Sequence, residues 1–305
     1  MQVSVSVTDY TWPAGPAGIP AGLRQVVEAA DEAGINTVWV ADHLIQADPT
    51  VPADTDMLEA FTTLGYLAAR TTRVRLGTLV AAATFRPPAL LVKAVTTLDV
   101  LSGGRAWLGV GAGYQEDEAR AMGLPLPPVA ERFEHLEDLL RIAHHLWAGD
   151  TSPFVGTHHR LEAPASAPAP ASVPHPPILV GGTGERRTLA LVARYADACN
   201  LFDIPDDGAT VRHKLAVLAR HCDAAGRPTG QVETTLSTRV MPGQPPGAFT
   251  RHCADLAGLG IDHVVVLAAG AWTGDAVRAL APTVAELAAV RTTPWGELYG
   301  PGRGE

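Results

Sequence analysis

Residues 75–123 read RLGTLVAAATFRPPALLVKAVTTLDVLSGGRAWLGVGAGYQEDEARAMG. Arg75–Ala81 is a short apolar run rich in Leu and Val, and Phe85-Arg86-Pro87-Pro88 breaks it. Proline is tolerated in the first turn of a helix, so the pair opens one over Ala89–Leu101, where Leu91, Val95, Leu98 and Leu101 recur at helical spacing. Ser102-Gly103-Gly104 stops it, Arg105–Val110 forms a second strand, and Gly111-Ala112-Gly113-Tyr114 ends that strand with almost no side-chain bulk. Strand, helix, strand is a unit whose strands lie parallel and buried. A strand end this poor in side chains lets a planar ligand approach the backbone.

Outward from this unit the alternation continues. Val3, Val5 and Val7 mark a first strand, Leu23 to Ala30 a helix ended by Gly34, Thr37–Ala41 a strand, and Met57–Arg70 a helix. Beyond the quoted stretch come a long helix through Trp147, strands at Pro177–Val180, Cys199–Phe202, Val232–Val240 and His263–Ala268, and helices through Arg194, at Val211–Ala225, Phe249–Gly258 and Val277–Val290. Eight strands alternating with eight helices predict an α/β fold, a closed (β/α)8 TIM barrel. The expected organisation is one barrel domain over 1–292, with a Pro/Ala-rich insertion at 149–177 after the fourth helix and a loose tail over 293–305. Within the insertion, VGTHHRLE reads as a small hairpin.

Composition narrows the chemistry. The 305 residues are 47% hydrophobic and 18% charged with a net charge of −9, which describes a soluble protein and speaks against nucleic acid or an anionic membrane as partner. Cys199, Cys222 and Cys253 are widely spaced and read as reduced thiols of a cytoplasmic protein. Only Lys93 and Lys214 are lysines, both in predicted helices, which disfavours Schiff-base chemistry at a strand end. No Gly-Lys pair or G-x-S-x-G elbow occurs, so a P-loop and a serine hydrolase are excluded. The adjacent pairs His144-His145 and His158-His159 lack the i, i+4 spacing of helical ligands, and no metal is expected. Barrel sites form just after the strands. That rule selects Asp42-His43, where an imidazole can shuttle a proton and a carboxylate can orient it, and Gly181-Gly182-Thr183-Gly184, whose glycines and following Arg186 and Arg187 suit a phosphate. His263, at a strand start, is expected to be structural. Glu116 and Glu118 are expected to be solvated. Gly109, Gly111 and Gly113 lack Rossmann spacing, since position 114 is Tyr.

LGTLV, the proline pair, LDVLSGGR, LGVGAGY and the Glu-rich turn before Gly123 resemble the luciferase-like monooxygenase superfamily, and within it the branch that uses the deazaflavin coenzyme F420. The resemblance runs from the first strand to about Asn200. It implies an oxidoreductase moving a hydride between F420 and a small organic substrate, with Asp42-His43 at the cofactor's reactive face. Thr78-Leu79-Val80 would form a bulge, often with a non-prolyl cis peptide, that props the central ring. Gly111, Ala112, Gly113 and Tyr114 would flank the ring, and Gly181 to Gly184 would take the phosphate. The Trp12 loop and the 149–177 insertion are expected to exclude water. An FMN-dependent monooxygenase using O₂, or a non-catalytic flavin-binding member, is the alternative, and a homodimer follows by analogy.

Overall fold

In the first strand, β1 (Gln2–Val7), valines alternate with serines and the two sets part company. Val3, Val5 and Val7 join the apolar layer beneath the helices, while Ser4 turns to the opposite face and accepts a hydrogen bond from Trp39 Nε1 at 3.0 Å. A computed structural model describes residues 1–47, 51–52, 54–240 and 247–300. After β1 come α1 (Ile19–Ala33), β2 (Thr37–Val40), α2 (Ala60–Ala68), β3 (Arg75–Thr78), β4 (Ala81–Ala82), α3 (Pro88–Ser102), β5 (Ala106–Gly111), α4 (Glu116–Met122) and α5 (Val129–Trp147). A small hairpin, β6 (Phe154–Val155) and β7 (Arg160–Leu161), precedes β8 (Ile178–Gly181), α6 (Thr188–Tyr195), β9 (Ala198–Phe202) and α7 (Ala209–Ala224). β10 (Glu233–Arg239), α8 (Ala248–Gly258), β11 (His263–Leu267), α9 (Gly274–Arg278), α10 (Ala281–Ala288) and α11 (Trp295–Tyr299) complete the described chain.

The large sheet is parallel throughout and closes on itself: β3-β2-β1-β11-β10-β9-β8-β5-β4, with β3 also paired to β5. β3 and β4 both lie along β5, through Leu76–Ala106 and Ala81–Val110, so they are halves of one interrupted strand. Counted that way the barrel has the eight strands expected. No helix among the described residues is long and apolar enough to cross a membrane.

Two apolar layers result. The outer one packs strands on helices; the inner one fills the lumen with Trp39, Trp107, Leu179 and Val265. The two indoles sit 5.5 Å apart, and Gly77 makes room for them, since a Cβ there would stand 2.7 Å from Trp107 Cβ and 2.8 Å from the Trp39 ring. Below them, at the strand starts, Arg75 lies 4.5 Å over the Trp107 ring. His263 is fully buried there with Nδ1 2.8 Å from Glu233 Oε1, a structural position as expected.

LDVLSGGR also belongs to this lower end. Arg105 spends all five guanidinium contacts on Ser102 O, Thr71 Oγ1, Val74 O, Ala68 O and Thr71 O, closing the carbonyl end of α2. Buried Asp99 accepts from Ser172 N at 2.8 Å and Ser172 Oγ at 2.6 Å, pinning the end of the 149–177 insertion. The insertion does contain a hairpin, VGTHHRLE lying across β6 and β7. It does not cover the site. It follows a helix and precedes a strand, so it runs along the outside of α3, where Lys93 Nζ meets Ala167 O at 2.6 Å, to the lower end at Ser172.

Two other expectations are corrected. The single helix predicted over Val277–Val290 is two, α9 and α10, because Pro282 cannot donate an N–H to the preceding turn. The tail is not loose over its described part: Trp295 is 3% exposed, its Nε1 donates to Val232 O at 3.1 Å, and Tyr299 OH donates to Leu259 O. Residues 301–305 lie outside the described residues.

The interrupted strand yields a test. A Cβ on Gly109 would fall 1.8 Å from Thr78 O, whereas one on Gly65, exposed in α2, meets nothing within 4 Å. Gly109→Ala is expected to cost about 3 kcal/mol or more, beyond ordinary overpacking. Gly65→Ala should stabilise by about 0.5–1 kcal/mol. Urea denaturation of both variants checks the pair of signs.

Candidate active site

The upper ends of β2, β4, β5 and β8 converge, and their loops carry the residues singled out above. Thr78 is buried and donates from Oγ1 to Gly109 O at 2.7 Å, so its side chain holds the end of β3 onto β5. Leu79-Val80 is a non-prolyl cis peptide in the gap between β3 and β4, with Leu79 N still bonded to Val40 O at 2.9 Å. Val80 is wedged beside two glycines. A Cβ on Gly111 would stand 2.9 Å from Val80 Cγ2, and one on Gly181 2.7 Å from Val80 Cγ1. Gly113 takes φ of +79°, and its carbonyl accepts from Arg132 Nη1 at 2.9 Å. Ala112 packs on the main core, and Tyr114 is 68% exposed.

Asp42 and His43 are adjacent in sequence but turn to different partners. Asp42, 2% exposed, takes a two-pronged ion pair from Arg86 at 2.6 and 2.9 Å. Arg86 also reaches Glu59 Oε1 at 2.7 Å and lies 5.0 Å over the Phe61 ring. Glu59 in turn caps α2 by accepting from Phe61 N and Thr62 N. Burial raises the Asp42 carboxyl, against the pull of Arg86; it also works against the Arg86 charge, yet the two carboxylates hold that guanidinium above its ordinary value.

The carboxylate that reaches His43 is Glu118, at 2.7 Å from Nδ1. The expectation that Glu118 is solvated does not hold: it is 1% exposed and also accepts from Leu44 N at 2.5 Å. Burial pushes its pKa up, but the hydrogen bonds from His43 and Leu44 outweigh burial and leave it below the ordinary glutamate value. An ionised Glu118 only accepts, so Nδ1 of His43 carries the proton between them and Nε2 is the ring atom that can exchange one. Tyr114 lies beside this imidazole, ring centroids 6.0 Å apart and edge-on.

Across the mouth, Gly181-Gly182-Thr183-Gly184 follows β8. Gly182 has φ of +114°, and a Cβ on Gly184 would come 2.9 Å from Thr188 Oγ1. The helix that follows Glu185-Arg186-Arg187 starts at Thr188, and no side chain caps its N-terminus. Arg186 and Arg187 are exposed, Arg187 lying 5.6 Å over the Phe133 ring. Glu185 is turned to Lys214 at 2.6 Å.

A profile of the luciferase-like monooxygenase family matches residues 1–257. The chain belongs to that family. The F420-dependent glucose-6-phosphate dehydrogenase of Kineococcus radiotolerans is 30% identical over 232 residues, 74% of this chain and 66% of that relative, so the chain spans just under two thirds of its length. Among solved structures, an F420-dependent secondary alcohol dehydrogenase in complex with an F420-acetone adduct superposes with a TM-score of 0.77 at 17% identity, covering 93% of this chain and 98% of that one. The monooxygenase RslO1 from Streptomyces bottropensis gives 0.72 at 23% identity, covering 95% and 98%. These likenesses establish the luciferase-like barrel.

In this luciferase-like chain, sequence reading missed Arg86 and Glu59 and misjudged Glu118. Arg86 stood in view beside the proline pair at a strand end; Glu118 gave no signal, being one acid among three in the first turn of α4.

Glu118 sets a pH dependence. A carboxyl depressed in the folded state adds stability that is complete above its unfolded pKa and lost as the pH falls through the folded one. Glu118→Gln should therefore cost about 1–3 kcal/mol at pH 7. The gap from the parent should narrow as the pH drops below ~4.3. Urea melts across that range read it directly.

Proposed function

We propose that this chain is an oxidoreductase that uses coenzyme F420 to transfer a hydride to or from a small organic substrate. The observation that carries the reading is the pair His43–Glu118: an imidazole at a barrel strand end, oriented by a buried carboxylate, beside strand ends shaped for a flat ring. The names of the curated relatives support the choice of F420 over FMN.

The residues present fit such a cofactor. Val80, seated between the two glycines whose Cβ atoms would collide with it, offers an apolar prop for a ring, and Leu79 packs with it on the lumen cluster. Gly111 to Tyr114 leave a side of low relief, and Gly182 to Gly184, before a helix without a side-chain cap, suit a phosphate. When bound, the deazaflavin supplies the two-electron hydride chemistry. His43 holds or takes the accompanying proton at Nε2, and Glu118 stabilises the imidazolium that results. Asp42 is a positioning residue: locked to Arg86, it fixes the start of the loop that carries His43. On the rim, Trp12 donates to Trp272 O at 2.9 Å and Trp272 to Ser6 O at 2.9 Å, a cover that keeps water from the upper end of β1.

The same reading includes a cytoplasmic homodimer. Three unpaired, buried cysteines fit a reducing compartment, and exposed Leu101 on α3 offers apolar surface to a second copy.

Titration of the apoprotein with F420 and with FMN, followed by fluorescence, tests the cofactor. Saturable F420 binding with little affinity for FMN is expected; tight FMN binding overturns the reading. His43→Asn should then lower F420-dependent turnover by about 10²–10⁴-fold while F420 affinity stays nearly unchanged.

A further inference from the structure

We infer that the outer face of α5 and the turn of the β6–β7 hairpin form a site for a divalent transition cation, zinc by preference, with Glu131, His135 and His158 as ligands. Each offers one ligand atom, and the three lie within 4.8 Å of one another; no other group of three such side chains occurs among the described residues. Glu131 and His135 are one turn apart on α5, Oε1 3.7 Å from Nε2. The reading that found no metal weighed only adjacent histidines and passed over this i, i+4 pair, whose third partner comes from a turn more than 20 residues downstream.

That turn is built to present His158. Asp138, 1% exposed on α5, accepts from the backbone N–H groups of Thr157 at 3.0 Å, His158 at 2.8 Å and His159 at 3.1 Å. Gly156 makes the approach possible, because a Cβ there would lie 2.3 Å from Asp138 Oδ1. The His135 and His158 rings consequently stack with centroids 4.2 Å apart.

Each ring also has its second nitrogen engaged, the pattern that fixes metal-binding histidines. His135 Nδ1 meets His159 Nε2 at 2.9 Å, leaving Nε2 on the Glu131 side. His158 Nε2 meets Glu134 Oε2 at 2.7 Å, leaving Nδ1. Two imidazoles and one carboxylate form a mixed nitrogen and oxygen set that suits zinc with a water in the fourth position. Magnesium and calcium prefer all-oxygen shells. Glu131 and Glu134 balance the cation's charge, and the bound ion would staple the hairpin to α5.

The test uses the full chain without an affinity tag, dialysed against EDTA and titrated with zinc chloride in a calorimeter. One equivalent is expected to bind and to raise the melting temperature. His158→Asn and Glu131→Gln should each weaken binding at least about tenfold, and Glu134→Gln by about tenfold, with circular dichroism unchanged. His213→Asn, at an exposed histidine elsewhere, should leave the affinity as it is. Cobalt chloride should give a visible absorption band that the same variants lose. Absence of saturable zinc binding, or binding that survives His158→Asn but is lost in His43→Asn, overturns the proposal.

Discussion

The side chain of Val80 occupies space that the neighbouring strands leave open only because each places a glycine there. Its two methyl carbons lie where Cβ atoms of Gly111 and Gly181 would otherwise crowd them, at 2.9 and 2.7 Å. The same interruption lets Thr78 close on Gly109 while Ala81 and Ala82 resume pairing further along β5. β2 remains attached through Leu79 N, so the barrel stays closed across the break. Downstream, the chain leaves β4 at the height where Arg86 meets Asp42 and Glu59. One packing arrangement thus sets the prop in the lumen, the start of α3 and the clamp under the His43 loop.

Much of the scaffold was legible. Helical spacing of Leu91, Val95, Leu98 and Leu101, and the valine alternation of β1, report a burial pattern that the residues themselves carry. The break at Leu79-Val80 was not: LGTLV reads as a plain core strand, and only resemblance pointed to a bulge. The Asp42-His43 pairing failed for a geometric reason. The two residues lie just past the end of β2, in the loop, where neighbours in sequence turn to different partners. Asp42 accordingly goes to Arg86 and His43 to Glu118. Glu118 was hidden among Glu116, Asp117 and Glu118, which all look like acids decorating a helix start; which one turns inward depends on the path of the chain from Gly111 to Gln115. The insertion was misplaced for a reason the sequence did contain, since a segment that follows a helix and precedes a strand emerges at the lower face.

LDVLSGGR shows that a specific motif need not be a functional one. Its charged residues sit at the end of the barrel away from the strand termini that form the candidate site, and all five Arg105 contacts go to backbone or hydroxyl oxygens, four after or at the end of α2 and one at the end of α3. Burying a guanidinium this way is tolerable only when every donor is met. The motif therefore marks the family through the demands of the scaffold.

The division of labour between the two upper carboxylates follows from what surrounds each. Asp42 faces a guanidinium that is itself shared with Glu59, so its charge is matched at all times and changes little when a proton moves nearby. Glu118 has an imidazole and backbone amides as partners, and its charge is only partly offset while His43 is neutral. His43 Nδ1 lies 2.7 Å from that carboxylate, so Glu118 is the acid that holds the imidazole in place. Asp42, by contrast, makes its ion pair with Arg86. In the proposed reaction the imidazole is therefore oriented by the buried acid behind it, rather than by the acid beside it in sequence.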